Sequence, residues 1–217
     1  MNNNKTKKLN KKLLTICILS FLFIIYTILV KLNIFKNIDD AIESFVIGIR
    51  NDGLTDFMST ITNLGSAYAL IAITILIILV AIIKNKRLPI NSMVNLTSVY
   101  ILSTLVKIIV RRPRPTTTHL VEVTGFSYPS GHTLVSFAFY IFIAISLSER
   151  LTNKLSKTIL WIAMTTLVFL IAISRIYLGV HHLTDIIGSL LLGTIYLLIF
   201  LDIRRKHKLL KENTKWK

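Results

Sequence analysis

Three short segments of this chain place basic and imidazole side chains beside long apolar runs. They are Lys107–Pro115 (KIIVRRPRP), Pro129–His132 (PSGH) and Ser174–Asp185 (SRIYLGVHHLTD). A charge at the centre of a membrane helix costs about 2.5–3.5 kcal/mol on the insertion scale, so such groups usually mark a working site. Together the segments supply the lysine, arginine, histidine and aspartate side chains that are needed to hold a phosphate and break one of its bonds.

The third segment contains two histidines close to an aspartate. His181 and Asp185 are four residues apart, which at the start of a helix places them on one face. The carboxylate can then bind one ring nitrogen and leave the other as a base or nucleophile. His182 competes for this role because it is three residues from Asp185. Arg175 can hold phosphate oxygens bidentately.

The PSGH segment predicts an anion-binding turn. Pro129 and Gly131 favour a tight turn, and Ser130 can cap a helix that begins with His132. Unbonded amides at the positive helix end bind anions, and His132 beside an anion could protonate a leaving oxygen. Alone, the segment also fits an ordinary helix cap with an exposed histidine.

The first segment has two Arg-Pro pairs after Lys107, at Arg112 and at Arg114. By itself it fits a phosphate clamp and a basic juxtamembrane patch for anionic headgroups equally well. The presence of the other two segments favours the clamp.

Long apolar spans must position these residues. The chain has 217 residues, is 53% hydrophobic and has a mean hydropathy of +0.66, which is too apolar for an ordinary soluble domain. Runs of this length predict helices, because only helices and closed barrels satisfy the backbone in lipid. We therefore predict an all-α membrane protein, with six transmembrane helices in one bundle over residues 13–201 and basic tails at 1–12 and 202–217. The six spans are Leu13–Val30, Ala67–Ile83, Leu88–Val106, Thr133–Leu147, Thr158–Ile173 and Leu183–Leu201.

Charge indicates the orientation of the bundle and excludes some functions. The net charge is +16, but the cations flank apolar spans, so we expect no nucleic-acid partner. The single Cys17 excludes a disulfide framework and a cysteine metal site. With both termini in the cytoplasm, 18 of the 26 lysines and arginines lie inside, which the positive-inside rule favours. All three segments then meet at the outer face.

The segment Ile38–Arg50 predicts an amphipathic helix on the outer membrane interface. Its apolar residues have helical spacing, and we place Asp39, Asp40 and Glu43 on the opposite face. Its role stays open between lining a lipid entry path and shielding the bundle as a connector.

The spacing within the three segments resembles the signature of the type 2 phosphatidic acid phosphatase superfamily. That signature reads Lys-x6-Arg-Pro, then Pro-Ser-Gly-His, then Ser-Arg-x5-His-x3-Asp. Lys107 matches it with Arg114 rather than Arg112, and Asp185 matches it with His181 rather than His182.

The resemblance implies a two-step hydrolysis that uses no metal ion or other cofactor. His181, oriented by Asp185, would form a phosphohistidine while His132 protonates the leaving group, and water would then release phosphate. The groups implied to hold the phosphoryl oxygens are Lys107, Arg114, Ser130, the Gly131 amide and Arg175.

The expected substrate is a membrane lipid whose phosphate lies at headgroup depth. Small bacterial relatives suggest phosphatidylglycerophosphate, undecaprenyl diphosphate or both, with a phosphatidic acid phosphatase of broad specificity as the alternative. We expect a multi-pass enzyme of the bacterial plasma membrane whose site faces outside. A transporter or a non-catalytic lipid-binding protein are alternatives from other classes. Transport is disfavoured because the ionisable residues gather at one face and no inverted repeat is visible.

Overall fold

The computed structural model describes residues 3–81 and 87–213, with side chains described over 11–79 and 88–206. Within these ranges the regular structure is entirely helical. The eight described helices are α1 (Asn3–Lys31), α2 (Lys36–Gly48), α3 (Asp52–Asn63), α4 (Ala67–Ala81), α5 (Arg87–Val110), α6 (Gly131–Ser148), α7 (Lys154–Tyr177) and α8 (Leu183–Asn213).

Five of these described helices are long and apolar enough to cross a membrane alone, and a bent pair of helices is long and apolar enough to form a sixth span. The five are Lys11–Lys31, Leu88–Val110, Gly131–Ser148, Lys154–Tyr177 and Leu183–Lys206. The described part of the span predicted over Ala67–Ile83 is helical throughout, as α4 (Ala67–Ala81), while residues 82–83 lie outside the described residues. Helix α3 meets α4 at an angle of 50°, and the two together are long and apolar enough to form one broken span.

The described parts of the predicted basic tails at 1–12 and 202–217 are helical, because α1 begins at Asn3 and α8 continues to Asn213. Residues 1–2 and 214–217 lie outside the described residues.

Helix α6 forms the centre of the bundle and packs against α5, α7 and α8. Leu134, Ala138, Phe139 and Phe142 of α6 are completely buried. By contrast, the span in α1 is only 6% buried, as expected for an apolar helix that meets lipid. The most buried helix is therefore the one that carries the PSGH segment at its start.

The helix predicted in Ile38–Arg50 is present as α2, and the sequence did not indicate that Asp39 would be buried against the protein. Asp39 is only 2% exposed and faces the protein, while Ile38 and Phe45 are 53% and 64% exposed. The reason is a buried partner, since Asp39 Oδ2 accepts a hydrogen bond of 2.7 Å from Arg112 Nη2. The outward apolar side chains remain suited to a membrane interface.

The antiparallel helices bring four helix termini to one end of the bundle. Helices α5 and α7 terminate there, and helices α6 and α8 begin there. Backbone hydrogen bonds tie its loops together, from Ser127 to Arg112 at 2.9 Å and from Leu120 to Leu178 at 3.0 Å. Arg50 adds a clamp by donating to the carbonyls of Tyr177 and Thr118.

Candidate active site

His181 and Asp185 form a buried pair at the start of α8. His181 Nδ1 lies 3.4 Å from Asp185 Oδ2, and the residues are 3% and 0% exposed. When Nδ1 carries the proton, Nε2 is left with its lone pair, and it lies 3.4 Å from Nη1 of Arg114. Burial outweighs the favourable contact with Asp185 and lowers the pKa of His181 to about 4. The imidazole is therefore neutral at physiological pH.

His182 has a different environment. Its backbone N–H donates to Asp185 Oδ2 at 3.0 Å, but its ring nitrogen Nδ1 is buried without a partner among the described residues. Burial also lowers the pKa of His182. Of the two histidines, His181 is the one whose ring contacts the carboxylate.

Arg114 lies in the loop after α5, where three backbone carbonyls fix its guanidinium. Its Nε donates to Gly125 at 3.0 Å, Nη2 to Thr124 at 2.9 Å, and Nη1 to Val180 at 2.8 Å. Burial lowers the pKa of Arg114, although Asp185 partly offsets the effect. The loop thus holds a fixed cation beside His181 Nε2.

Arg112, two residues earlier, lies on the other side of Asp185. Its Nη1 donates to Asp185 Oδ1 at 2.6 Å, and its side chain is 7% exposed. Burial opposes the charge of Arg112, but the carboxylates of Asp185 and Asp39 outweigh it and raise the pKa of Arg112. The two Arg-Pro pairs therefore occupy different positions, with Arg114 beside the free ring nitrogen and Arg112 behind the carboxylate.

The PSGH turn lies against Lys107. A Cβ placed on Gly131 would be 3.8 Å from Lys107 Cε, and Lys107 Nζ donates to the Phe126 carbonyl at 2.8 Å. Helix α6 begins at Gly131 rather than at His132. Ser130 is its N-cap residue, but the predicted capping by the Ser130 side chain is wrong, because this hydroxyl accepts from Thr133 Oγ1 at 3.1 Å instead. The side chain of Ser130 therefore does not occupy the first amides of α6, which a helix itself leaves unbonded.

Arg175 in the last turn of α7 is 3% exposed and has one side-chain partner in the described structure. Its Nη1 donates to Thr62 Oγ1 of α3 at 2.8 Å, while Nε is buried without a partner among the described residues. A buried donor without an acceptor is costly, which favours an anionic ligand at this position.

His132 lies where the bent span approaches α6. A Cβ placed on Gly65, between α3 and α4, would be 3.4 Å from His132 Cδ2. The ring is within electrostatic range of Lys107, Arg114, Arg175 and His181.

All eight residues predicted from the sequence lie at this end of the bundle. The sequence reasoning missed several supporting residues, which are Asp39, Arg50, Thr62, Gly65 and Thr184. The first four come from other segments, so no spacing relative to the three motifs could identify them, while Thr184 lies inside the third segment at a position that the family signature does not specify. Among the described residues, no group of three or more His, Cys, Asp or Glu side chains is arranged to hold a metal ion.

Comparison with known proteins finds a matching family and related phosphatases. Residues 88–208 match the model of the PAP2 superfamily. The chain is 30% identical to phosphatidylglycerophosphatase B of Bacillus subtilis, over 82% of this chain and 88% of that protein. It is 28% identical to the undecaprenyl-diphosphatase of Sulfolobus acidocaldarius, over 82% of this chain and 85% of that protein.

A solved structure is also similar along most of its length. The crystal structure of a transmembrane PAP2-type phosphatidylglycerolphosphate phosphatase from Bacillus subtilis superposes with a TM-score of 0.82 at 27% identity, covering 88% of this chain and 96% of that one. With the helical spans and the grouped motifs, these matches lead to one conclusion: the chain belongs to the PAP2 superfamily.

Proposed function

We propose that this chain hydrolyses a phosphate or diphosphate ester of a membrane lipid through a phosphohistidine on His181. The observation that carries the proposal is the position of the His181 ring between Asp185 and Arg114, at 3.4 Å from each.

In the first step, Nε2 of His181 attacks phosphorus and forms a P–N bond as the bond from phosphorus to the leaving oxygen breaks. His132 donates a proton to that oxygen. In the second step a water molecule attacks phosphorus, His132 takes up its proton, and the P–N bond breaks to release inorganic phosphate. Asp185 keeps the Nδ1 proton of His181 in place and stabilises the positive charge that develops on the ring.

The remaining predicted residues hold the phosphoryl oxygens. Arg175 supports this role because its buried Nε has no partner among the described residues. Lys107 and Gly131 support it because the lysine side chain lies directly against the PSGH turn. Ser130 and the first amides of α6 add donors at the positive end of a helix.

The proposed reaction uses no metal ion. Phosphoryl transfer depends on neutralising the charge of the equatorial oxygens, which metal ions do in many enzymes. Here Lys107, Arg114 and Arg175 supply three positive charges at that place.

The proposed substrates are phosphatidylglycerophosphate, undecaprenyl diphosphate or both. The relatives' names support this choice, since one is a phosphatidylglycerophosphatase and another an undecaprenyl-diphosphatase. The position of the site at the helix ends suits a phosphate at headgroup depth.

We further propose that the site faces the outside of a bacterial plasma membrane and that both termini are cytoplasmic. The distribution of lysine and arginine in the sequence supports this orientation, because the predicted topology assigns 18 of the 26 to the side of the termini. Fusing a reporter enzyme that is active on only one side of the membrane to residue 217 tests it. Activity of the fusion on the outer side would reverse the assignment.

The reaction is tested by offering purified protein phosphatidylglycerophosphate, undecaprenyl diphosphate and phosphatidic acid in the presence of a chelator. We expect phosphate release from one or both of the first two lipids, whereas equal release from all three would indicate broad specificity. A strict requirement for added magnesium would refute the metal-independent mechanism.

The nucleophile is tested by comparing His181→Ala with His182→Ala. We expect His181→Ala to lower turnover by about 10⁴-fold or more, as for other covalent nucleophiles, and to prevent accumulation of the acid-labile phosphohistidine. His182→Ala should retain the intermediate. If His182→Ala rather than His181→Ala abolished the intermediate, the assignment of the nucleophile would be wrong.

A further inference from the structure

A buried cluster lies behind Asp185, on the side opposite His181. It consists of Asp39 of α2, Arg112 of the loop after α5, and Thr184 of α8, and each is at most 7% exposed. None of the three belongs to the residues that we assign to the reaction. Charged groups at this depth need specific partners, which the cluster supplies.

Arg112 bridges two carboxylates. Its Nη1 donates to Asp185 Oδ1 at 2.6 Å, and its Nη2 donates to Asp39 Oδ2 at 2.7 Å. A guanidinium has two parallel donor groups in a rigid plane, so it can fix two acceptors at once, which a lysine ammonium cannot do with the same geometry.

Thr184 joins the cluster to the backbone of α8. Its N–H and hydroxyl donate to Asp39 Oδ1 and Oδ2 at 3.1 and 2.7 Å, and its hydroxyl accepts from Arg112 at 2.7 Å. Asp39 therefore holds the residue that precedes Asp185, while Arg112 holds the Asp185 carboxylate itself.

The charges of the cluster affect the histidine. Arg112 alone would neutralise Asp185, leaving less negative charge to attract the proton on His181 Nδ1. The carboxylate of Asp39 balances Arg112, so Asp185 keeps its charge for the imidazole. In a region of low dielectric such charge balances have large effects.

We propose that Asp39, acting through Arg112, is a positioning residue that orients the Asp185 carboxylate and sets the basicity of His181. This inference rests on the proposed function, in which His181 is the nucleophile. The proposal gives α2 a role in orienting the nucleophile, although the apolar side chains on the outer face of this helix are exposed.

The test compares Asp39→Asn with Asp40→Asn. The two residues are adjacent on α2, but Asp40 is exposed and its carboxylate pairs only with Lys36 among the described residues. We expect Asp39→Asn to lower kcat by about 10- to 100-fold, the range known for losing a group that orients a metal-bound histidine, with little change in KM. Asp40→Asn should change neither constant.

A second comparison tests the bridging geometry of the arginine. Arg112→Lys keeps the positive charge but loses the planar fork, and we expect it to lower kcat by a similar factor. Arg111→Lys is its control, because Arg111 is exposed and its side chain contacts only the Ile108 carbonyl among the described residues. Equal activity of the two lysine variants would contradict the proposal.

The pKa of His181, measured by NMR with ¹⁵N-labelled histidine, gives a readout independent of turnover. We expect it to fall in Asp39→Asn, which leaves Arg112 unbalanced, to rise in Arg112→Gln, and to stay constant in Asp40→Asn. The other charged and titratable groups facing His181 are unchanged in all of these variants, and they are Lys107, Arg114, His132, Arg175 and Asp185.

The double variant Asp39→Asn/Arg112→Gln removes one negative and one positive charge from the cluster. It can therefore be used to test the proposal if Asp39→Asn alone does not fold. Because Asp39 acts through Arg112, the double variant should resemble Arg112→Gln alone in kcat and in the His181 pKa. Additive effects would show that Asp39 acts independently of Arg112 and would overturn the proposal.

The two proposals fail in different ways. Wild-type protein that releases no phosphate from any of the lipids offered would refute the proposed function, while the NMR titration would still decide whether the cluster controls His181. If the His181 pKa is the same in wild type, Asp39→Asn and Arg112→Gln, the inference is wrong even if the enzyme is active.

Discussion

The two ends of the helical bundle stabilise their cations in different ways. At the end opposite the candidate site, basic side chains pair with carboxylates, as in Lys12–Asp202 at 2.7 Å and Arg204–Glu149 at 3.0 Å. At the site end Arg112 also pairs with carboxylates, but Lys107, Arg114 and Arg175 have none within 4.0 Å among the described side chains. Backbone carbonyls and a hydroxyl hold them instead.

This difference indicates that the charges at the opposite end have a structural role, whereas the three cations at the site end are available to a ligand. Exposed ion pairs contribute little to stability because water already solvates both partners. Cations that are buried and bound only by neutral groups retain their charge, and an anion can then neutralise it. We therefore expect a phosphate group to bind at the site end.

Among the variants that test this comparison of the two ends, Arg114→Gln should have the largest effect. It removes the fixed cation beside His181 Nε2 and should lower kcat by about 10²- to 10³-fold, the usual cost of losing one donor to a transition-state oxygen. Phosphate release measures it. Arg111→Gln is the matched control, and a similar loss in that variant would mean that general charge rather than the position of Arg114 matters.

The pH dependence tests the neutral state of His181. Because burial lowers its pKa from 6.5 to about 4, kcat/KM should lose activity on the acid side only near pH 4. Between these values the unfolded chain binds more protons than the folded chain, so the stability due to this group is complete above pH 6.5 and decreases as the pH falls towards 4. An acid limb near pH 6.5 would contradict the buried, neutral imidazole.

Gly65→Ala tests whether the bend between α3 and α4 must approach the site closely. The added Cβ would lie 2.7 Å from Ile171 Cγ2 and 2.8 Å from Ser136 Oγ, and we expect overpacking to cost about 1–3 kcal/mol. Thermal unfolding in detergent measures this, and turnover should fall because His132 is adjacent. Gly48→Ala is the control, since nothing lies within 4 Å of its Cβ position. Equal stability of both variants would refute the close approach.

Asp202→Asn should have the smallest effect. It removes the carboxylate that pairs with Lys12 and Lys206 at the opposite end. Because these side chains are partly exposed, we expect a change of about 1 kcal/mol or less in the free energy of unfolding and no change in turnover. A loss of activity comparable to that of Arg114→Gln would remove the distinction between the two ends.

The sequence alone was sufficient to predict membrane helices and the end at which the motifs gather. The length of the apolar runs determines both. A run of about 20 apolar residues predicts a helix that spans the membrane, and successive spans must alternate in direction. The bend before the second span was not predicted. Helix α3 meets α4 at an angle of 50°, and Gly65 between them packs closely against α6 and α7.

Local spacing also determined which residue types meet, such as His181 and Asp185 one helical turn apart. The family signature selected Arg114 over Arg112 and implied phosphate binding for Arg114, but it gave Arg112 no role. Only the tertiary structure gave Arg112 one, by placing Asp39 of α2 and Asp185 against it, while backbone carbonyls of two loops hold Arg114. The physical reason is that sequence periodicity describes one helix at a time, whereas the charge partner of a buried group is supplied by whichever distant segment packs against it.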